Sequence, residues 1–256
     1  CLVPISGSRE RIYTAKPIER LQQARLEIEA LGEKQAVTVA VVGGGPAGVE
    51  VAGNVAQLLE RTARSGSVIL YGGRKLLARF PQGVREKSRA ILERSGVDIR
   101  EGAHLLSIED NRLLLDSGAG GEADFIILAT GVHPSPFFRE AGLQTGPDGG
   151  LLVNRYLQCP DHPEIFGGGD CIYYQEQPLD KVGVYAVREN PVLFHNLTAT
   201  LQGEALQEFD PGGDYLLIFN LGKGQGLLRK KWFQMSGRIA FFVKDWIDRR
   251  FMKKFQ

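Results

Sequence analysis

The sequence predicts an α/β fold built on a parallel sheet, and two observations carry this prediction. The first is an apolar run at 37–42 that stops at a glycine cluster and is followed by a helical pattern over Pro46–Thr62. Nearly continuous apolar runs are typical of central parallel strands covered on both faces. The second is that the pattern repeats, with a strand at Ser67–Tyr71, a helix at Gln82–Arg94 and a strand at Val97–Arg100. Strands that alternate with helices of this length form parallel sheets.

The segments on either side of this repeat predict further elements. Pro17–Gly32 is expected to form a helix, because it has proline at its first position and glycine at its end. Two short strands, His104–Ile108 and Arg112–Asp116, are expected to form a hairpin, and the strand Asp124–Ala129 should close the unit. The elements expected after this point are a strand at Glu164–Phe166, a helix at Val184–Thr200, a strand-loop-strand stretch at Tyr215–Phe233 and a basic helix at Arg238–Phe255.

Composition limits the classes of function. The chain of 256 residues, 43% of them hydrophobic, is long enough for two compact domains. Its 31 basic and 30 acidic residues give a net charge of +1, so no nucleic-acid partner is expected. Three cysteines without paired spacing predict neither a disulfide framework nor a metal site, and a cytoplasmic location is expected. Because the sequence starts at Cys1 in a loop-like stretch, we expect residues to precede it.

The best-defined motif is the glycine turn after the first strand of the repeat. Gly43, Gly45 and Gly48 fit the pattern GxGxxG. In a Rossmann-type NAD(P)-binding domain the first glycine permits a tight turn, the second lets backbone amides approach a pyrophosphate, and the third allows the helix to pack closely on the strand. The alternative is an ordinary glycine turn, but the flanking strand and helix favour dinucleotide binding. The predicted contact residues are Gly43, Gly44, Gly45, Pro46, Ala47 and Gly48.

The end of the second strand bears on the choice between NAD and NADP. NAD sites usually carry a carboxylate about 20 residues after the glycine turn, where it binds the ribose 2′-hydroxyl. Here Tyr71 is followed by two glycines and then by Arg74 and Lys75, so two cations stand where a 2′-phosphate would lie. The sequence therefore predicts that NADP(H) is accepted, with Arg74 as a contact. The alternative is that both cations are solvated loop charges.

Three spaced motifs carry a resemblance to a known family. The segment ILATG at Ile127–Gly131 and the segment LQCPDHPEIFGGGDC at Leu157–Cys171 follow the GGGPAGVE turn, as in the FAD-dependent pyridine nucleotide-disulfide oxidoreductase superfamily. The segments AKPIE, GVYAVRENPVLFHNL and KDWIDRRFMKKF are similar to type II NADH dehydrogenase-like proteins, and most of all to the subgroup fused to selenide, water dikinase. The sequence departs from the superfamily in lacking the first flavin-binding βαβ unit and the active-site cysteine pair.

The resemblance implies two cofactors, FAD and NAD or NADP, and further site residues. Asp170 would bind the flavin ribityl chain, with Gly169 beside it; the alternative for Asp170 is a turn aspartate that caps the next segment. Thr130 and Gly131 would lie beside the cofactor. The helix after this motif would point its N-terminus at the flavin, with contact from Val182 and the residues around it, Lys181 to Tyr185. Glu50 would lie near the nicotinamide, although a glutamate on a helix surface needs no such role.

Motifs and resemblance together predict a Rossmann-type NAD(P)-binding domain inserted in an incomplete FAD-binding domain. The expected segments are 1–36, the end of the first flavin segment with a linker helix; 37–128, the NAD(P) domain; 129–203, the second flavin segment; and 204–256, C-terminal strands and a helix. The expected reaction is hydride transfer from NAD(P)H to FAD and then to an acceptor, with no catalytic side chain. Quinone is the acceptor that the resemblance favours. The alternatives are a selenium or sulfur compound, or a module that senses dinucleotide without turnover.

The C-terminal helix is predicted to be amphipathic and basic. Residues 228–256 contain nine basic and two acidic residues. Five apolar residues fall on one face at helical spacing, with Arg250 and Lys254 intruding on the stripe. Such a helix is typical of a peripheral membrane anchor, here over residues 238–255. The alternative is that the stripe packs on the body of the protein or on a second copy of the chain. The stripe consists of Ile239, Phe242, Val243, Trp246 and Ile247.

Overall fold

The computed structural model describes residues 3–62, 64 and 66–253, together with the side chains of all of these except 119, 251 and 252. The chain forms two compact units. Unit 1 consists of Cys1–Gly131 and Leu216–Gln256, and unit 2 consists of Val132–Tyr215. Each unit has its own core.

The first part of unit 1 contains nine strands and three helices among the described residues. The helices are α1 (Ile18–Gly32), α2 (Pro46–Leu59) and α3 (Gln82–Arg94). The strands are β1 (Ile5–Ser6), β2 (Ile12–Thr14), β3 (Thr38–Val42), β4 (Ser67–Tyr71), β5 (Val97–Arg100), β6 (Leu105–Glu109), β7 (Arg112–Leu115), β8 (Gly118–Glu122) and β9 (Phe125–Leu128).

A five-stranded parallel sheet lies at the centre of unit 1, with the strand order β2-β9-β3-β4-β5. In register, Val42 at the end of β3 pairs with Tyr71 in β4 and with Leu128 in β9. The carboxyl ends of these strands therefore meet at one edge of the sheet. Because ligands of open α/β sheets bind outside this edge, it is the edge that matters for function.

Both faces of the sheet are covered, which explains the continuous apolar run in β3. Val39 and Val41 pack with Val49 of α2 in one core cluster, whereas Ala40 and Val42 belong to a second cluster. All five side chains are buried. The alternation of neighbouring residues between two buried faces is what a central parallel strand requires, and the parallel α/β fold is confirmed.

The second face is covered by a four-stranded sheet with the order β1-β6-β7-β8. The hairpin predicted at 104–116 is confirmed as β6 and β7, which pair antiparallel. The strand β8, with the sequence GAGGE, was not predicted. Its glycines give no alternating apolar pattern from which a strand could be predicted. The segment forms a strand because its backbone pairs with β7.

Unit 2 is built from short strands, a short helix and one long helix around its own core. Its elements are α4 (Phe137–Glu140), β10 (Leu151–Val153), β11 (Gln158–Cys159), β12 (His162–Phe166), a single 3₁₀ turn (Gly169–Cys171), β13 (Ile172–Tyr174) and α5 (Gly183–Gln202). Strand β10 pairs parallel with β13, and β11 pairs antiparallel with β12. The predicted strand at Glu164–Phe166 is part of β12, which is only half-buried. The predicted helix at Val184–Thr200 is confirmed as α5.

The C-terminal elements belong with unit 1. They are β14 (Leu217–Asn220), β15 (Gly226–Lys230), β16 (Phe233–Gly237) and α6 (Arg238–Met252). The strands form an antiparallel sheet on which α6 packs, with Ala240 buried. This grouping differs from the expected segment 204–256, because residues 204–215 lie in unit 2. The last two residues of the predicted helix lie outside the described residues.

One polar face of α2 binds the turn after β14. Glu50 Oε1 accepts a hydrogen bond from the Asn220 amide at 2.8 Å, and Asn54 Nδ2 donates to the Asn220 carbonyl at 3.3 Å. Gln57 Oε1 accepts from the Lys223 amide at 2.6 Å. Residues 50, 54 and 57 share one helix face because they are spaced by four and three positions. This contact ties the C-terminal elements to the helix that follows the glycine turn.

Candidate functional site

The glycine turn lies at the carboxyl edge of the parallel sheet, between β3 and α2. Gly43 has a φ of +140°, and a Cβ there would overlap the Ala129 carbonyl. At Gly48 a Cβ would overlap the carbonyl of Gly43. At Gly45, by contrast, a Cβ would meet no atom within 4 Å. The turn is therefore closed on the protein side and open at Gly45, the position at which a pyrophosphate would approach the backbone.

The loop after β4 is fastened to this turn. The Leu77 amide donates a hydrogen bond to the Gly44 carbonyl at 2.6 Å, and a Cβ at Gly44 would overlap the Gly72 carbonyl. Pro46 is the first residue of α2, where its missing amide hydrogen costs no helical bond, and Ala47 next to it is exposed. The predicted nucleotide-contacting residues thus form one continuous turn.

Arg74 and Lys75 are both exposed in the loop after β4. Their position at the end of the second strand is the predicted one. The structure adds a carboxylate that the spacing along the chain did not indicate, because Glu101 follows the adjacent strand β5. Its side chain accepts hydrogen bonds from the Leu76 amide and from the Arg89 guanidinium.

Thr130 and Gly131 follow β9 at the same edge of the sheet. The Ala129 amide donates to the Val42 carbonyl at 2.7 Å, and this hydrogen bond brings the segment against the glycine turn. Thr130 and Gly131 are exposed, and Gly131 has a φ of +109°. Both residues border the predicted nucleotide turn, while their contact with flavin stays a prediction.

Glu50 is half-buried near the start of α2, two residues after the last glycine of the motif. Burial raises the pKa of its carboxyl group, while the Asn220 amide and the nearby Lys244 ammonium act in the opposite direction and Asp248 adds to the rise. The sequence did not indicate that this carboxylate binds β14. One of its oxygens accepts the hydrogen bond from the Asn220 amide, and a contact of the carboxylate with nicotinamide stays a prediction.

In unit 2 the residues predicted to bind flavin surround a narrow cleft between the 3₁₀ turn and the start of α5. Gly169 has a φ of +74°, which favours glycine, and Asp170 follows it in the turn. Val182 is the residue that precedes the first turn of α5. All three line the cleft together with Tyr185. The structure therefore brings these predicted residues together.

Glu189 holds this turn in place and was missed in the sequence. Its side chain is 2% exposed and accepts a hydrogen bond from the Gly169 amide. Burial raises the pKa of the carboxyl group, although the Gly169 amide and the Lys181 ammonium oppose the rise. The signal was present, because Glu189 lies at helical spacing with the buried Val192 and Asn196 of α5.

Lys181, which is also expected near the flavin, binds two other groups of unit 2. Its ammonium lies 2.9 Å from Asp148 Oδ2 and donates to the Ile172 carbonyl. Burial acts to raise the pKa of Asp148, but the hydrogen bond and charge of Lys181, together with backbone amide hydrogen bonds that include the one from Gly150, outweigh it and the net pKa is lowered. Lys181 thus closes the loop that precedes α5.

The predicted apolar stripe of α6 is divided between two faces. Ile239, Phe242 and Trp246 are 67%, 61% and 60% exposed. Val243 and Ile247 are half-buried. The guanidinium of Arg250 lies over the Trp246 ring, with its carbon 5.5 Å from the ring centroid. Part of the stripe therefore packs on the body of unit 1, and three large apolar side chains remain on the surface.

A family model matches the chain over residues 2–196, under the description pyridine nucleotide-disulphide oxidoreductase. The chain belongs to this family. The cofactors of the family are FAD and a pyridine nucleotide, and its members are oxidoreductases. The subgroup fused to selenide, water dikinase is not distinguished by this match.

Two curated relatives extend the comparison. Internal alternative NAD(P)H-ubiquinone oxidoreductase A1 of Arabidopsis thaliana, a mitochondrial protein, is 29% identical over 192 residues, which are 67% of this chain and 38% of the relative. Ferroptosis suppressor protein 1 of Taeniopygia guttata is 28% identical over 221 residues, which are 81% of this chain and 57% of the relative. The chain thus spans about two fifths to three fifths of the length of these relatives.

The fold also matches solved structures. NDH2 of Plasmodium falciparum, solved in complex with NADH, aligns with a TM-score of 0.72 at 14% identity and covers 93% of this chain and 73% of its own. This similarity shows a shared fold. In the part of the present chain that the structure describes, no helix is long and apolar enough to cross a membrane.

Proposed function

We propose that the chain is the nucleotide-binding part of an FAD-dependent NAD(P)H oxidoreductase. The observation that carries the proposal is the glycine turn at 43–48, which is closed against the protein at Gly43 and Gly48 and open at Gly45. Backbone amides at the start of α2 would face the pyrophosphate, where the helix dipole favours negative charge. Membership of the pyridine nucleotide-disulphide oxidoreductase family supports the same assignment.

The chemistry of the residues around the narrow cleft in unit 2 supports binding of the hydroxyl groups of the FAD ribityl chain. Asp170 would accept hydrogen bonds from ribityl hydroxyls, while Glu189 holds the Gly169 amide so that the turn keeps its shape. When bound, FAD supplies the hydride acceptor for NAD(P)H and passes the electrons to a second substrate. The side chains of this chain position the cofactors, and no side-chain acid or nucleophile is assigned.

We infer that the second substrate is a quinone. The Arabidopsis relative is named an NAD(P)H-ubiquinone oxidoreductase. The exposed apolar side chains of α6, next to basic residues, fit a peripheral contact with the cytoplasmic face of a membrane, where a lipid-soluble acceptor is found. The alternatives are a selenium or sulfur compound, suggested by the segments at 183–197 and 244–255, and a sensing module that does not turn over.

The nucleotide assignment is tested by calorimetry with NADH and NADPH on the Gly45→Val protein. Because a Cβ at Gly45 would meet no protein atom within 4 Å, the fold should be retained while the space of the pyrophosphate is filled. Binding of both nucleotides should weaken at least about tenfold, or about 1.4 kcal/mol. Gly213→Val is the matched control, since a Cβ there would also meet no protein atom within 4 Å. Equal affinity in wild type and Gly45→Val contradicts the assignment.

The acceptor is tested by nucleotide oxidation with the flavin-loaded full-length protein. We expect consumption of NAD(P)H with a short-chain ubiquinone, and none with a persulfide or selenite. The reverse pattern supports the sulfur or selenium alternative. Nucleotide binding without consumption in the presence of any of these acceptors supports the sensing module.

A further inference from the structure

The end of strand β4 lacks the carboxylate that NAD sites usually place there. Strands β4 and β5 pair in parallel register, with Tyr71 opposite Arg100. The Gly72 amide donates to the Arg100 carbonyl at 2.8 Å, and the Gly102 amide donates to the Gly73 carbonyl at 2.9 Å. The residues that follow the two strands are therefore neighbours at the carboxyl edge of the sheet.

Glu101 borders the space that a side chain at Gly72 would enter. A Cβ built at Gly72 would lie 3.4 Å from Glu101 Cγ. The Gly72 carbonyl in turn lies against Gly44 of the glycine turn. A carboxylate is thus present beside the end of β4, although it comes from the neighbouring strand.

Both oxygens of this carboxylate have a partner within the protein. One accepts from the Leu76 amide and the other from Arg89 of α3, so the side chain is fixed in orientation. It remains 27% exposed. An ionised carboxylate has about four acceptor positions, and these two bonds leave acceptor capacity on the exposed side.

We propose that Glu101 faces the 2′ position of the adenosine ribose and selects NADH against NADPH. The inference rests on the proposed nucleotide function of the glycine turn. A hydroxyl at the 2′ position can donate to the carboxylate, whereas a 2′-phosphate would be repelled by it. Arg74, exposed in the loop after β4, acts in the opposite sense by attracting the phosphate. The preference of the protein is the balance between the Glu101 carboxylate and the two cations, Arg74 and Lys75.

The measured quantity is the ratio of the NADPH and NADH dissociation constants for the 256-residue chain, obtained by calorimetry at one low salt concentration. Glu101→Gln removes the charge and should lower this ratio about tenfold, mainly by improving NADPH binding. Glu101→Asp keeps the charge and should leave the ratio within about threefold of wild type. Arg74→Glu should raise the ratio.

Glu93→Gln is the matched control. Glu93 Oε1 lies 3.2 Å from Arg89 Nη1, and Arg89 is the arginine that also binds Glu101. The Glu93→Gln variant therefore removes one negative charge and one ionic partner of Arg89, but at a position away from the sheet edge. Its ratio should equal that of wild type. If Glu101→Gln does not fold, Gly72→Asp tests the same position with Glu101 intact, since a Cβ there makes ordinary contacts. That variant should weaken NADPH binding about tenfold more than NADH binding.

An unchanged ratio in Glu101→Gln, or in Gly72→Asp where the first variant does not fold, overturns the inference while the proposed function stands. A ratio that falls equally in Glu93→Gln also overturns it, because the effect would then act through Arg89. If wild type binds neither nucleotide, the proposed function fails and the inference fails with it.

Discussion

Glu50 carries a carboxylate into the packed junction between α2 and β14. Its pKa is raised above the ordinary value of 4.5 chiefly by burial, against the hydrogen bond from the Asn220 amide and the charge of Lys244 on α6. A carboxyl group whose pKa is higher in the folded than in the unfolded state binds its proton more tightly when folded. Its contribution to stability is therefore complete at pH values below 4.5 and is lost as the pH rises through the raised pKa.

Glu50→Gln should stabilise the protein at neutral pH. Glutamine keeps an oxygen that accepts from the Asn220 amide but carries no charge, so the cost of burying an ionised group disappears. We expect the free energy of unfolding to rise by roughly 1 kcal/mol at pH 7 and to change little at pH 4. Urea unfolding at both pH values measures this, with the exposed Glu33→Gln as control. An equal change at the two pH values would contradict the assignment to burial of the charge.

At the scale of residues, the sequence predicted those parts of the site that are continuous along the chain. The close packing of Gly43 and Gly48 follows from the motif and is confirmed by the geometry. Glu101 was missed because it acts on a segment distant in sequence, at the end of the neighbouring strand. Glu189 was missed although its helical spacing places it on the buried face of α5, because that spacing does not show that its carboxylate binds the Gly169 amide. Spacing along a chain does not show which side chains become neighbours between strands.

At the scale of elements, apolar periodicity was sufficient where an element buries its own side chains. The bounds of β4, α3 and β5 agree with the sequence prediction. Strands β8 and β10 were not predicted, since the first is rich in glycine and the second has only three residues. Their order comes from pairing with neighbours rather than from a pattern of their own.

The exposed side chains of α6 lead to a prediction about membranes. The full-length protein should bind liposomes that contain anionic lipid, and the binding should weaken with salt because basic residues contribute. Trp246→Ala should weaken binding about tenfold without loss of stability, since this side chain is 60% exposed. Sedimentation with liposomes measures this.

Exposed apolar residues elsewhere provide the control for this experiment. Leu201 on α5 is 88% exposed in unit 2, and Leu201→Ala should leave liposome binding unchanged. A protein that stays in the supernatant at low salt would refute the membrane contact. The exposed part of the stripe would then fit a contact with a second copy of the chain.

At the scale of the whole molecule, the two turns that carry most of the predicted cofactor contacts lie in different units. The glycine turn at 43–48 lies in unit 1, and the turn at 169–170 lies in unit 2. The printed sequence contains one GxGxxG turn that leads into a helix. High affinity for a dinucleotide is built from many contacts, and unit 2 offers FAD the contacts of one cleft.

We therefore expect the 256-residue chain to bind NAD(P)H but to purify with little FAD. The flavin absorbance of the purified chain, with and without added FAD, measures this, and NADH titration of the same sample provides the internal control. Stoichiometric flavin after purification would contradict the expectation. It would show that the cleft around Asp170 supplies more of the affinity than its contacts suggest.

The hydrogen bonds between α2 and the turn at 220–223 also affect the order in which the two units can fold during synthesis. The polar face of α2 leaves the ribosome early, whereas the backbone groups that it binds are translated only after all of unit 2. At about 5–20 residues per second, translation from the end of α2 to Asn220 takes roughly 8 to 32 seconds, and during this time the carboxylate and amide groups of α2 remain in water. Unit 2 is complete before unit 1, so the later-numbered domain has the first opportunity to fold.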